Sequence, residues 1–177
     1  REAIVSAKYA PFLLHGVTGS GKTEVYLTAV EEVLKQGRQA LVLIPEISLT
    51  PQLVSRFQAR FGAGIAILHS RLSAGERYDG WRRISKGLVQ VAIGTRSAIF
   101  APFTRLGIIV VDEEHDASYK QEEKLRYNAR DLALVRGRMD HAVVILGSAT
   151  PSVESYYNSQ TGKLTLLQLT RRVEGRP

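Results

Sequence analysis

The chain has 177 residues, with 24 Lys and Arg against 17 Asp and Glu and a formal net charge of +7. That length suffices for one domain whose core buries roughly 70% of the unfolded surface without a covalent staple. The absence of cysteine excludes disulfides and thiolate metal sites, and the four scattered histidines give a histidine metal site no local spacing.

Apolar runs stop at about five residues, far short of the ~20 that a membrane helix needs. A soluble protein with no membrane partner is expected, and a chain without cysteine suits the cytoplasm. The chain starts at Arg1 and ends at Pro177 after a basic pair, so a piece of a longer polypeptide is expected. Six of the 17 acids fall between Asp112 and Glu123, leaving 11 against 24 basic residues to set the field elsewhere. That balance suits a polyanion such as nucleic acid, whose affinity is dominated by Lys and Arg contacts to phosphate. A solvated basic surface would look the same.

Apolar strands are predicted at 12–15, 40–44, 65–68, 89–93, 107–111, 142–146 and 164–169, alternating with helices at 22–36, 49–61, 73–86, 129–139 and 151–160. This is an α/β pattern, a doubly wound, mostly parallel sheet with helices on both faces. The runs at 40–44, 108–111 and 142–146 are apolar without alternation, as central strands covered on both faces should be. Ligands in such sheets sit beyond the carboxyl ends of the strands, so the residues just after each strand are the candidates.

After the first strand, Gly16, Val17, Thr18, Gly19, Ser20, Gly21, Lys22 and Thr23 fill the phosphate-loop pattern. Glycines let backbone N–H groups turn inward around a β-phosphate, and the following helix adds its positive end. Lys22 would reach the β- and γ-phosphates and Thr23 would put its hydroxyl on Mg²⁺, so ATP and Mg²⁺ are the expected cofactors. Gly37 is expected to end this helix. After the second strand, Thr50 is placed to cap the next helix, with Pro51 in its first turn.

Three turns along the same edge suit phosphate contacts to a single strand: Pro45 and Glu46 after the second strand, His69 and Ser70 after the third, Thr95, Arg96 and Ser97 after the fourth. After the fifth strand come Asp112, Glu113, Glu114 and His115. Asp112 can hold Mg²⁺, usually through its waters, and Glu113 can orient and deprotonate an attacking water. After the sixth strand, the hydroxyls of Ser148 and Thr150 could bond His115 and the phosphate end of the site.

The segment from Asp116 to Asn128 has no strong period and is too polar for core. It carries Tyr119, Lys120, Arg126 and Tyr127 just downstream of Glu113, and a loop so placed can touch both sites. A base stacked on an aromatic is worth roughly 1–3 kcal/mol, enough to bias such a loop. Trp81, at helical spacing with Ile84, reads as core.

The phosphate loop, the Asp-Glu-Glu-His box and the Gly-Ser-Ala-Thr-Pro turn together resemble the first RecA-like lobe of superfamily-two helicases. Gly-Val-Thr-Gly-Ser-Gly-Lys-Thr-Glu-Val-Tyr at 16–26, Ile-Pro-Glu-Ile-Ser-Leu-Thr-Pro-Gln at 44–52, Gly-Thr-Arg-Ser-Ala at 94–98 and Asp-Glu-Glu-His-Asp-Ala-Ser-Tyr-Lys-Gln at 112–121 are similar to the primosomal protein N-prime family of bacterial replication-restart helicases. The resemblance implies a RecA-like P-loop NTPase lobe spanning 1–177, and a DNA-dependent ATPase that moves 3′ to 5′ and acts in primosome assembly. It implies single-stranded and forked DNA, other primosome proteins and single-strand-binding proteins as partners of the longer protein, in the cytoplasm at the nucleoid. It also implies an amino-terminal DNA-binding region, a second lobe and a zinc-binding insert outside these residues, so the isolated lobe is expected to hydrolyse little ATP. The family's loop after the Asp-Glu-Glu-His box carries aromatics and couples DNA binding to hydrolysis; here Leu125 and Asn128 depart from its usual residues. Open beside this reading are an RNA helicase or DNA translocase of the same superfamily, a small-molecule phosphotransferase, and a nucleotide-binding module without catalysis.

Overall fold

The computed structural model describes residues 2–62, 64–123 and 125–172. In chain order its elements are α1 (Glu2–Val5), β1 (Ala10–Gly16), α2 (Lys22–Lys35), β2 (Gln39–Leu43), α3 (Pro51–Phe61), β3 (Ile65–Leu68), α4 (Ala74–Ser85), β4 (Val91–Gly94), β5 (Leu106–Val111), β6 (Lys120–Gln121), β7 (Tyr127–Asn128), α5 (Ala129–Met139), β8 (Val143–Ser148), α6 (Val153–Gln160) and β9 (Thr165–Leu169). Short 3₁₀ turns lie at Glu46–Ser48, Arg96–Phe100 and Ala117–Tyr119.

Seven strands form one sheet in the order β3-β4-β2-β5-β8-β1-β9, and every pairing in it is parallel. The unalternating apolar runs become β2, β5 and β8, buried at every residue, because helices cover both faces of a parallel sheet. Successive residues of one strand therefore serve opposite cores. Leu41, Leu43, Ile109 and Val111 pack with Ile84 of α4 and Ala133 of α5; Ala40, Val42, Ile108 and Val110 pack with Val30 of α2 and Phe57 of α3. The outer strands β3 and β9 are only partly buried, as sheet edges are.

Helix ends follow the side chains. The Thr50 hydroxyl accepts the Leu53 N–H at 3.3 Å, with Pro51 in the first turn. Ser73 and Glu76 form a reciprocal capping box on α4. Gly37, at φ +66°, closes α2 with bonds from Gly37 N to Leu34 O and Arg38 N to Val33 O. The last helix starts at Val153 rather than 151 because the Ser152 hydroxyl caps it, accepting Ser155 N–H at 3.2 Å.

Two expectations change. The segment after Glu113 is not structureless: β6 and β7 pair as a small antiparallel hairpin, and Tyr119 just before it is buried at 1% exposure. Trp81 is not core, since it is 39% exposed on α4, where Ile84 takes the inward position.

Candidate functional site

The strand order divides the carboxyl edge of the sheet into two halves. The turns after β5, β8 and β1 form one half; those after β2, β4 and β3 form the other. Residues far apart in sequence, from Gly16 to Thr150, thereby face one another.

The phosphate loop turns between β1 and α2 through Gly19 at φ +79° and Gly21 at φ +90°, conformations that glycine adopts without strain. Gly16 has no room for a side chain, because a Cβ there would come within 2.5 Å of the Ser20 hydroxyl and 3.0 Å of Leu169 Cβ. Val17, Thr18 and Gly19 are exposed at the mouth, and Thr23 lies in the first turn of α2. Lys22 Nζ donates to the Gly16 carbonyl at 2.8 Å, which stretches the ammonium across the loop, and it stands 3.9 Å from Glu113 Oε1.

The turn after β5 is anchored on all sides. Asp112 N–H donates to Leu43 O at 2.9 Å and Glu114 N–H to Gly147 O at 3.0 Å, pinning the box between β2 and β8. Between them Glu113 sits at φ +45°, a left-handed conformation costing a non-glycine residue about 1–3 kcal/mol and held only where neighbours over-determine it. The twist separates the two carboxylates. Asp112 Oδ1 accepts from the Tyr26 hydroxyl at 2.9 Å, and Glu113 approaches Lys22 and, at 3.7 Å, His115 Nδ1.

Burial raises the Asp112 carboxyl above its ordinary value, against the Tyr26 hydrogen bond, the Glu113 N–H and the Lys22 charge. Glu113 is raised too, first by burial and then by the Asp112 charge, with Lys22, His115 and the Ala149 N–H opposing. A carboxylate raised in this way is a stronger base towards a water than a solvated one. Burial and the adjacent Asp112 also push the Tyr26 phenol well above its usual range, so it stays a hydrogen-bond donor.

His115 lies where the sequence placed it. Its Nδ1 is 2.8 Å from the Ser148 hydroxyl and its Nε2 3.5 Å from the Thr150 hydroxyl. Ser148 Oγ, fully buried, also accepts the Thr150 N–H at 2.9 Å, so one hydroxyl joins β8, its following turn and the box.

Two residues were missed by sequence reasoning. Glu114 has a fully enclosed carboxylate that accepts Ser152 N–H at 2.6 Å, the Ser155 hydroxyl at 2.7 Å and the Ser152 hydroxyl at 3.1 Å, and pairs with Arg130 Nη1 at 3.4 Å. The signal was a third consecutive carboxylate facing a Ser-x-x-Ser pair, too weak to read without the fold. The other is Tyr26 itself.

Two observations fit a bound phosphate and cation. The buried Ser20 hydroxyl, at the centre of the loop, has no hydrogen-bond partner, and the Gly16 cradle would be closed by a Cβ. Among the described residues no three His, Cys, Asp or Glu side chains group tightly enough to hold a metal alone. Mg²⁺ commonly uses one or two protein groups together with substrate phosphates, which suits this donor set.

The other half of the edge is also brought together. Ser70 donates to Glu46, and Glu46, Leu49, Pro51, Val54, Ile67, His69 and Arg71 line a cavity of about 300 Å³. His69 Nδ1 accepts Arg71 N–H at 3.2 Å. Pro45 and Thr95 are buried and Ser97 is exposed. Arg96, a candidate for phosphate contact, donates through Nη1 to the carbonyls of Ser118, at 3.2 Å, and Lys120.

Tyr119 offers no face for a base, because its hydroxyl donates to the Asp112 carbonyl at 2.6 Å inside the core. Burial likewise pushes its phenol up. Tyr127 packs edge-on against Phe100, with centroids 5.1 Å apart, while Arg126 and Leu125 are exposed. Asn128 caps α5, its side chain accepting Arg130 N–H at 3.0 Å.

Comparison with known proteins agrees with this geometry. The chain is 55% identical to replication restart protein PriA of Bacillus subtilis over 176 residues, 99% of the chain and 22% of that protein. It is 54% identical to the PriA of Haemophilus influenzae over 91% of the chain and 22% of that protein. It spans about a quarter or less of the lengths of these relatives. Among solved structures, RecG bound to a three-way DNA junction superposes with a TM-score of 0.73 at 26% identity, over all of the chain and 23% of RecG. The helicase domain of Hef from Pyrococcus furiosus superposes at 0.64 and 18% identity, over 96% of the chain and 37% of its own, and shows the shared fold. A family model, the DEAD/DEAH box helicases, matches residues 2–158, and the chain belongs to that family.

Proposed function

We propose that the chain is the ATP-binding motor lobe of a DNA-dependent ATPase and 3′ to 5′ DNA helicase acting in replication restart. The observation that carries the reading is the meeting of Lys22 with Glu113, 3.9 Å apart, at the carboxyl edge of a RecA-like sheet. The near-complete likeness of the chain to PriA proteins supports the pathway. Gly16 to Thr23 bind ATP through loop N–H groups, Lys22 neutralises its terminal phosphates, and Glu113 orients and deprotonates the attacking water. Thr23 and Asp112 would hold Mg²⁺, which supplies charge neutralisation across the phosphates when bound. His115, held by Ser148 and Thr150, keeps Glu113 in register.

In this reading Pro45, Glu46, His69, Ser70, Thr95, Arg96 and Ser97 border the path of single-stranded or forked DNA. The hairpin with Arg126 and Tyr127, and Tyr119 just before it, couple that path to hydrolysis. Primosome and single-strand-binding proteins and a zinc site belong to the rest of the longer protein, in the cytoplasm at the nucleoid. The test is phosphate release by the full-length protein with single-stranded DNA, forked DNA, RNA or small acceptors. Stimulation by DNA that is lost in Glu113→Gln is expected. Stimulation by RNA alone, or transfer to a small acceptor, would overturn the reading.

A further inference from the structure

Tyr26 lies one turn beyond Lys22 on the inner face of α2, and its phenol crosses the core to reach Asp112 Oδ1 at 2.9 Å. That reach depends on a missing side chain: a Cβ at Gly147 would overlap the Tyr26 hydroxyl. On the main-chain side, Tyr119 holds the Asp112 carbonyl at 2.6 Å. Carboxylate and carbonyl of one residue are thus each gripped by a buried tyrosine from a different element. Packing alone would be met by phenylalanine at position 26, whose ring would still need the glycine at 147 but would lack the bond to Asp112.

We propose that Tyr26 is a positioning residue for the divalent cation: its hydroxyl fixes the Asp112 carboxylate in the orientation from which it holds Mg²⁺, directly or through a water, beside the bound phosphates. A phenol suits this task because it donates one hydrogen bond and brings no charge. Lysine or arginine in its place would form an ion pair with Asp112 that an arriving cation would have to break. Carboxylates that serve metals are themselves held by outer hydrogen bonds, and losing such a partner typically lowers metal affinity 10–100-fold.

The inference rests on the reading of Asp112 as the cation-side carboxylate, and the experiment separates the two. Calorimetric titration of the chain with ADP, with and without Mg²⁺, would be run on wild type, Tyr26→Phe and Asp112→Asn. Tyr26→Phe should bind Mg²⁺-free ADP within about two-fold of wild type, while the Mg²⁺ concentration giving half the metal-dependent tightening rises about ten-fold. A wild-type Mg²⁺ midpoint in Tyr26→Phe, beside a lost one in Asp112→Asn, overturns the role of Tyr26 alone. A wild-type midpoint in Asp112→Asn overturns the reading of Asp112 and the proposal with it. Equal loss of metal-free and metal-dependent binding in Tyr26→Phe marks a packing role and also overturns it.

Discussion

Replacing Glu114 by alanine tests whether the box is held from behind. The substitution strips an acceptor from the Ser152 N–H, from the Ser152 and Ser155 hydroxyls and from Arg130. Breaking a buried ion pair costs about 3–5 kcal/mol. Arg130 retains Asp131 at 2.9 Å and Glu154 at 3.5 Å, so its charge is not stranded and the ion-pair part lies near the lower end. The buried Ser155 hydroxyl loses its partner, and an unmade buried hydrogen bond adds about 1–3 kcal/mol. A total near 4 kcal/mol lowers the melting temperature of a chain of this size by roughly 10 °C. Glu114→Gln keeps an acceptor oxygen for Ser152 and should lose about half as much. Calorimetric melts of the three chains, at one pH and salt, measure the difference. An alanine variant melting within about 2 °C of wild type would refute the reasoning.

Lys22→Ala should abolish most ADP binding in a calorimetric titration, and equal affinity in both chains would remove the phosphate-loop assignment. The raised Asp112 carboxyl means that the folded chain holds its proton more tightly than the unfolded chain does. Its contribution to stability is therefore full below the ordinary value of 3.8 and lost as pH rises through the folded value. Without Mg²⁺, Asp112→Asn should melt above wild type at neutral pH, with the gap narrowing as melts are repeated towards about pH 4; a gap independent of pH would count against burial as the cause. Arg96→Ala should speed amide exchange across residues 117–128 while leaving β2, β5 and β8 protected, because it frees the Ser118 and Lys120 carbonyls; unchanged exchange would mean that the hairpin holds itself. The isolated chain should release phosphate slowly even with DNA, since a charge-stabilising arginine from an opposing surface is worth roughly 10³–10⁵ in rate; brisk turnover lost in Glu113→Gln would contradict this.

The sheet and its phosphate loop were legible in the sequence because each rests on local physics. Unalternating apolar runs need cover on both faces, and Gly16 to Thr23 carry both the turn and its chemistry. Strand order was not legible, because β5 and β8 insert between β2 and β1 only in space. The hairpin escaped because two-residue strands have no period to detect. Polarity misled at Tyr119, which stands between Ser118 and Lys120 although its own ring fills the core beneath Asp112. Trp81 misled in the opposite sense, since helical spacing with Ile84 does not fix which face of α4 turns inward.

Under the proposed function, Arg96 is more informative as found than as expected. A guanidinium aimed at phosphate would report only that DNA is present. Bonded to the Ser118 and Lys120 carbonyls, it ties the turn after β4 to the hairpin. The far strand of that hairpin ends at Asn128, which caps α5, and α5 presents Arg130 to Glu114. Glu114 adjoins Glu113, the residue held at φ +45°. A shift of the turn after β4 would thus reach the strained residue through a hairpin and a buried ion pair. The β2 and β5 cores could stay fixed while it did so, because they are close-packed and resist deformation. Strain stored at Glu113 gives such a path something to act on: a left-handed glutamate maintained by its neighbours changes position when those neighbours move, and an unstrained one need not.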